Sequence, residues 1–324
     1  MPKVSVIVPN YNHGHFLRQR LDSVLGQTFQ DFEVILLDDC STDESRSIIS
    51  EYANDSRIRT EFNEVNSGST FKQWNKGVRH ARGEYVWIAE SDDYADERFL
   101  DTLVSRLNAD SNAAFCYCRS WRISAVGSIE GFSDNYLPQL HPNKWTSDFE
   151  ARGPEECRRY LLFRNTVPNA SSVVFRREAY WSAGGADESL VLCGDWKVWA
   201  GMALAGRTII YVGQPLGYHR FHNLSVRSQS QNGVSLIERI TVIGWILGRI
   251  KLPKAERAVV LRKLAREWLP FVVDRRIPGR LRRAVLKYAM ALDPCAWLKL
   301  IGFAPTTLRL ALARRWRSLR GAAP

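Results

Sequence analysis

The sequence predicts an α/β protein built on a mainly parallel sheet, followed by a basic, mainly helical C-terminal region. Three observations carry that expectation. Short β-branched runs alternate with stretches of helical periodicity over about the first 120 residues, which is the cadence of βαβ units. Acidic clusters stand just past the ends of several of those runs. The charge also changes sign late in the chain. Residues 232–324 hold 20 Lys and Arg against 5 Asp and Glu, a net of +15, whereas residues 1–231 hold 25 against 29, a net of −4. That contrast divides the chain into a region 1–231 and a region 232–324.

Each element has its own local reason. Val4-Ser5-Val6-Ile7-Val8 is a β-branched run, followed at once by the turn-rich Pro9-Asn10-Tyr11-Asn12-His13-Gly14. Phe16, Leu17, Leu21, Val24 and Leu25 then recur at helical spacing. Residues 32–37 form a second strand ending in Asp38-Asp39, and Ser41-Thr42-Asp43-Glu44 has the character of a helix start. Residues 57–62 are a third strand. Phe71, Trp74, Val78 and Ala81 mark one face of a helix that stops at Gly83. Residues 85–89 are a buried strand running into Glu90-Ser91-Asp92-Asp93. Farther on, residues 171–175 and 208–212 read as strands and 196–204 as a helix. Residues 120–169 show little periodicity and read as a loop-rich insertion.

Composition narrows the class. With 45% hydrophobic and 24% charged residues, a disordered, collagenous or low-complexity chain is excluded. Six cysteines with no C-x2-C pair argue against a disulfide scaffold or a structural zinc site and for buried reduced thiols. Met1-Pro2-Lys3 leads straight into the first strand without an apolar leader. Residues 240–247 are closed by Arg249, and residues 284–304 are interrupted by Lys287, Asp293 and Lys299, so no membrane span is expected. The expectation is a cytoplasmic chain.

An open α/β sheet places its ligand at the C-terminal ends of its strands. There the sequence has Asp38-Asp39 and Glu90-Ser91-Asp92-Asp93, with Asp195 farther along in Cys193-Gly194-Asp195-Trp196. Clustered carboxylates repel unless a hard divalent cation sits among them, and such a cation completes its shell with substrate phosphates. The competing account is that Asp is common at such corners because it forms turns and caps. Neither G-x-x-x-x-G-K-[ST] nor G-x-G-x-x-G is present. Phosphates would therefore be met by metal and by basic residues, with Lys72, Arg220 and His222 as candidates. His13 and His15, in a turn-rich loop, are expected to face solvent.

Taken in order, these pieces resemble the family 2 glycosyltransferases, inverting enzymes of the GT-A fold. The matching residues are 4–12, 23–28, 32–39 with 41–43, Asn66-Ser67-Gly68, Asn75-Lys76-Gly77, 81–86, Glu90-Ser91-Asp92-Asp93, 184–188, Gly194-Asp195-Trp196 and Arg220-Phe221-His222. The resemblance implies a mixed Rossmann-like sheet, with residues 1–112 as the nucleotide-binding half and 113–231 as the acceptor and base half. It implies a nucleotide-sugar donor, most plausibly a UDP-sugar, a glycan or lipid-linked acceptor in surface polysaccharide assembly, and Mn2+ or Mg2+ as cofactor. Tyr11 would stack on the base in a loop shaped by Pro9, and Asp39 would accept a hydrogen bond from the base. Asn12, Asn66, Lys72, Glu90 and Ser91 would complete the donor site. Asp92 and His222 would hold the metal, with His219 the alternative to His222. Asp93 would face the acceptor, and Asp195 would be the general base. Trp196 would be either an acceptor platform or a core aromatic, whereas Trp87 and Trp199 are most simply core.

Three positions depart from the family pattern. Glu90 stands where Asp is usual, Gly194 where Glu precedes the base, and Trp74 where Arg is common, a charge that Lys72 could replace. These departures keep a non-catalytic nucleotide-sugar or glycan-binding module in play. In the basic region, Arg280, Arg282, Arg283 and Lys287 form one cluster. Arg314, Arg315, Arg317 and Arg320 form another, beside Leu308, Leu312, Trp316 and Leu319 at helical spacing. Such a helix suits an anionic membrane surface or ordinary packing on the catalytic domain. No nucleic-acid partner is expected, because no binding motif supports one.

Overall fold

The structure is a computed structural model that describes residues 1–223, 225 and 232–303. The chain divides into two compact units, Met1–Gln229 and Ser230–Pro324.

The first unit is a ten-stranded mixed sheet. Its strands are β1 (Val4–Asn10), β2 (Phe32–Asp38), β3 (Ile58–Phe62), β4 (Tyr85–Ile88), β5 (Tyr94–Ala95), β6 (Ala113–Ile123), β7 (Ile129–Phe132), β8 (Phe149–Arg152), β9 (Val173–Arg176) and β10 (Thr208–Arg220). Their spatial order is β3-β2-β1-β4-β9-β6-β10-β5, with β7 on β6 and β8 on β10. Strands β3, β2, β1 and β4 are mutually parallel, β9 runs against both neighbours, and β6 and β10 are parallel to each other. The helices are α1 (Gly14–Leu25), α2 (Ser45–Glu51), α3 (Thr70–His80), α4 (Phe99–Ala109), α5 (Gly153–Glu156), α6 (Arg177–Ser182) and α7 (Gly194–Leu204).

Every residue of β1 and β2 is buried. Strands covered on both faces read as continuous apolar runs, which is why these two were visible in the sequence. The polar exceptions are paired: Ser5 Oγ donates to Glu33 Oε1 at 2.7 Å, and Glu33 also accepts the Arg82 backbone N–H at 2.9 Å. Helix α3 begins at Ser69, whose Oγ accepts from Lys72 N, and it buries Phe71, Trp74 and Val78. It lies so close to β1 that a Cβ on Gly77 would sit 2.3 Å from Ile7 Cγ2. Trp87 and Trp199 are core aromatics, both fully buried. Cys116 and Cys118 are buried free thiols on β6.

Residues 120–169 are more ordered than their composition predicts. They hold the end of β6, all of β7 and β8, and α5, followed by a single π-helical turn at Cys157–Leu161. The strands are too short for periodicity to show, and they form because β6 and β10 offer partners across the sheet.

The second unit contains α8 (Asn232–Leu247), α9 (Lys254–Val273), α10 (Gly279–Leu292) and α11 (Ala296–Phe303). Its described core includes Ile243, Ile246, Val260, Leu264, Trp268, Val285 and Ala289. On α10, Arg280, Arg283 and Lys287 are exposed, while Arg282 is half-buried. The cluster at Arg314–Arg320 lies outside the described residues. No helix among the described residues is long and apolar enough to cross a membrane.

Candidate active site

The C-terminal ends of β1, β2 and β4 open into a cavity of about 690 Å³. Its walls include Pro9, Tyr11, Asn12 and His13 after β1, Asp39 after β2, and Asn66 before α3. They also include Glu90, Ser91, Asp92 and Asp93 after β4, and Asp195 at the start of α7. These residues come from five stretches of chain up to 186 positions apart.

The loop after β1 is set by long-range polar contacts. Asn12 adopts a left-handed backbone (φ 53°), which Asn tolerates better than most residues. Its Oδ1 accepts Thr42 N at 2.7 Å, and its own N–H donates to Ser41 Oγ at 3.0 Å. Tyr11 is left 46% exposed. Asp39 is buried and accepts Asn63 Nδ2 (2.6 Å), Ser67 N (2.9 Å) and Ser67 Oγ (2.6 Å). A carboxylate has about four acceptor positions, so about one remains for a ligand. Asn66 shapes the neighbouring turn by accepting Gly68 N at 2.5 Å.

The acidic segment after β4 is locked from beneath. Arg220 donates its N–H to Asp93 Oδ1 and its Nε to the Asp92 carbonyl, both at 2.8 Å. Its two terminal nitrogens donate to the Ser124 and Ala125 carbonyls and to Gln19 Oε1. Arg220 is therefore a buried clamp rather than the phosphate contact expected. Asp93 lines the cavity with one oxygen taken by that clamp. Arg20, fully buried on α1, donates Nε to the Glu90 carbonyl at 2.8 Å. It lies at helical spacing among Leu17, Leu21 and Val24, so a cation on the apolar face of a helix was the overlooked signal.

Burial and the neighbouring Asp92 and Asp93 push Glu90 up to about 8. Burial and Asp92 likewise raise Asp93. Burial would raise Asp92 as well, but the His222 hydrogen bond and the nearby imidazoles outweigh it and hold the carboxyl at about 2. Asp92 is therefore ionised near neutral pH, where Glu90 is largely protonated. His222 Nε2 lies 2.9 Å from Asp92 Oδ2. His219 also lines the cavity, but its Nδ1 pairs with Ser133 Oγ at 3.2 Å.

His13 does not face solvent. Its Nδ1 lies 2.9 Å from Ser91 Oγ, its ring stands 5.5 Å from that of His222, and burial lowers its pKa. His15 is exposed, as expected. His13, Asp92 and His222 each offer a ligand atom, and the three atoms lie within 4.8 Å of one another. His222 Nδ1 is a buried nitrogen without a hydrogen-bond partner. Two imidazoles and an ionised carboxylate at this separation fit a divalent cation.

Asp195 occupies the first turn of α7. Its Oδ1 accepts Trp196 N at 2.7 Å and its Oδ2 accepts Asn165 Nδ2 at 2.9 Å. Asn165 lies in the irregular insertion, where no periodic signal could mark it. Trp196 is corrected to a core residue: it is 2% exposed, and its Nε1 donates to the Leu161 carbonyl. Lys72 is exposed and is not among the residues lining the cavity; its Nζ donates to the Ser67 carbonyl at 3.2 Å.

The three departures from the family pattern have physical causes. A Cβ at residue 194 would lie 2.6 Å from the Phe71 ring, so glycine keeps α7 close to α3. Trp74 Nε1 donates to Glu90 Oε1 at 2.6 Å, so these two replacements contact each other.

The family model of glycosyl transferase family 2 matches residues 5–183, and the chain belongs to that family. Its sequence is 39% identical over 105 residues to the glycosyltransferase GlyG of Streptococcus pneumoniae, covering 32% of this chain and 35% of that protein. It is 39% identical over 102 residues to the poly(ribitol-phosphate) β-N-acetylglucosaminyltransferase TarS of Staphylococcus aureus, covering 31% of this chain and 18% of TarS. The chain thus matches only about a third or less of these relatives' lengths. In three dimensions it is similar to S. aureus TarS 1–349 in complex with UDP-GlcNAc, with a TM-score of 0.71 at 19% identity over 91% of this chain and 82% of that one. The mannosyltransferase PcManGT of Pyrobaculum calidifontis, in complex with GDP-Man and Mn2+, gives a TM-score of 0.55 at 19% identity over 98% and 83%. These likenesses show the GT-A fold.

Proposed function

We propose that the chain is an inverting glycosyltransferase that moves a sugar from a UDP-sugar to a hydroxyl of a glycan or lipid-linked acceptor in bacterial surface polysaccharide assembly. The carrying observation is the shared cavity, in which Tyr11, Asp39 and Asp92 meet Asp195. Tyr11 offers a flat face to the base, and the remaining acceptor position of Asp39 suits the N3–H of uracil. Glu90 presents its second oxygen to the donor while Trp74 holds the first. Asp92 and His222 would hold a divalent cation, which would supply charge neutralisation for the departing diphosphate. Asp195 accepts the proton of the attacking hydroxyl, held by Asn165 and the Trp196 N–H. A single displacement with one base inverts the anomeric centre and needs no covalent intermediate. The contacts that account for Gly194 and Glu90 favour this reading over a non-catalytic module.

The test is a donor panel with purified protein and Mn2+, read by released nucleotide. UDP release from at least one UDP-sugar, lost in chelator, is expected. Tight UDP binding without turnover on any donor or acceptor would favour the binding module.

We further propose that the +15 C-terminal region holds the enzyme at an anionic membrane surface on the cytoplasmic side. Each exposed cation near such a surface contributes ~1 kcal/mol, and the attraction is screened within ~10 Å at 0.1 M salt. The 324-residue chain should co-sediment with phosphatidylglycerol vesicles at low salt and be released at high salt. Glu at Arg280, Arg283 and Lys287 should weaken the attachment. Absence of low-salt binding by the unaltered chain would defeat this placement.

A further inference from the structure

We propose that His13 is a direct ligand of the divalent cation, completing with Asp92 and His222 a site of two imidazoles and one carboxylate that selects Mn2+ or another transition ion over Mg2+. The proposal rests on the donor-site reading above and adds to it a third ligand and a metal preference.

Geometry carries the argument. The three residues come from distant parts of the chain: the loop after β1, the segment after β4, and the stretch following β10. Their ligand atoms nevertheless lie within 4.8 Å of one another. The left-handed Asn12, tied to Ser41 and Thr42, turns the chain so that His13 enters the cluster instead of solvent. The ring is then held from two sides. Its Nδ1 lies 2.9 Å from Ser91 Oγ, and Phe16 packs against both imidazoles, with centroids 6.1 Å from His13 and 4.8 Å from His222. A metal-ligating histidine characteristically spends its other nitrogen on such a hydrogen bond, which sets the tautomer and aims the ring. With Nδ1–H donating to Ser91, Nε2 carries the lone pair.

The donor set implies the preference. Mg2+ favours oxygen ligands in a rigid octahedron and keeps several waters. Imidazole nitrogen suits Fe2+, Zn2+ and the other later transition ions best, Mn2+ takes it less strongly than these but more readily than Mg2+, and two histidines with one carboxylate leave positions open for further ligands. Here those positions would take diphosphate oxygens. Loop residue His13 thus couples the nucleotide-binding loop to the metal, because Tyr11 lies only two residues before it.

The experiment measures metal binding directly, apart from turnover. The 324-residue chain is titrated with Mn2+ and with Mg2+ in the presence of UDP. Free Mn2+ is read by electron paramagnetic resonance, and bound Mn2+ is examined for 14N couplings. The unaltered chain should show couplings from two imidazoles and bind Mn2+ more than ~10-fold tighter than Mg2+. His13→Gln should lose one coupling and weaken Mn2+ binding by more than ~10-fold, since even an outer-shell partner is worth 10- to 100-fold, and it should narrow the preference over Mg2+. Ser91→Ala should weaken Mn2+ by less than His13→Gln does. One imidazole coupling in the unaltered chain overturns the proposal whether or not any variant folds. Unchanged Mn2+ affinity in His13→Gln, with binding abolished in Asp92→Ala, refutes the role of His13 and leaves the donor-site reading standing. Failure of the unaltered chain to bind either ion with UDP overturns both.

Discussion

Asp195→Asn is expected to slow glycosyl transfer by ~10²–10⁴, the usual worth of a positioned general base, while UDP affinity stays within about twofold. The substitution keeps the size and shape of the side chain and removes its basicity. Its surroundings make the experiment clean. Trp196 N donates to one oxygen and Asn165 Nδ2 to the other, so both Asp195 oxygens face donors. An amide placed there keeps one acceptor and turns an NH2 toward the other donor. Asn165 cannot relieve that contact simply by flipping, because its own Oδ1 accepts Val167 N at 3.1 Å. A loss of a few tenths to about 1 kcal/mol in stability is therefore expected alongside the kinetic effect. It would appear as a small drop in melting temperature with an unchanged fold. A collapse of UDP affinity instead would assign Asp195 to the donor site and defeat the base assignment.

Asp92→Ala should abolish detectable transfer and Mn2+ binding together. Asp92 is ionised near neutral pH, because its imidazole contacts hold it at about 2, while burial pushes its neighbour Glu90 to about 8. Its loss removes the only ionised oxygen ligand in the cluster with His13 and His222. Charge neutralisation of a leaving diphosphate is worth several kcal/mol, which at ~1.4 kcal/mol per tenfold is ~10³ or more in rate. The fold should survive. Arg220 clamps this segment through the Asp92 carbonyl and the Asp93 carboxylate, neither of which the substitution touches. Circular dichroism and melting would establish that, and full activity in the variant or in excess chelator would sink the metal assignment.

Much of this architecture was readable because it rests on patterns that run along single elements. Strands β1, β2 and β4 are buried along their whole length, so their apolar runs stand out. Helix α3 buries one face and exposes the other, so Phe71, Trp74 and Val78 recur at helical spacing. The acidic residues follow those strands directly, and the sheet's topology brings them together. Strands β7 and β8 escaped notice because each has four residues: β7 is the short return strand of a hairpin with β6, and β8 pairs with β10, far away in sequence.

The sequence by itself determined the α/β cadence, the ends of the strands where chemistry collects, the change of charge near residue 232, and Asp39, Asp92, Asp195 and His222 as residues of interest. Only the tertiary structure decided where individual side chains around the cavity point. It turned His13 inward through Asn12, buried Trp196 beneath the cavity, and left Lys72 outside it. It paired Trp74 with Glu90 and brought Asn165 to Asp195 from an insertion without periodicity. It also made Arg220 a clamp instead of a phosphate contact. The physical reason is common to all six. Periodicity records which face of an element is buried, whereas the direction of a loop or rim side chain is set by hydrogen bonds and close contacts with residues that only the finished fold makes neighbours.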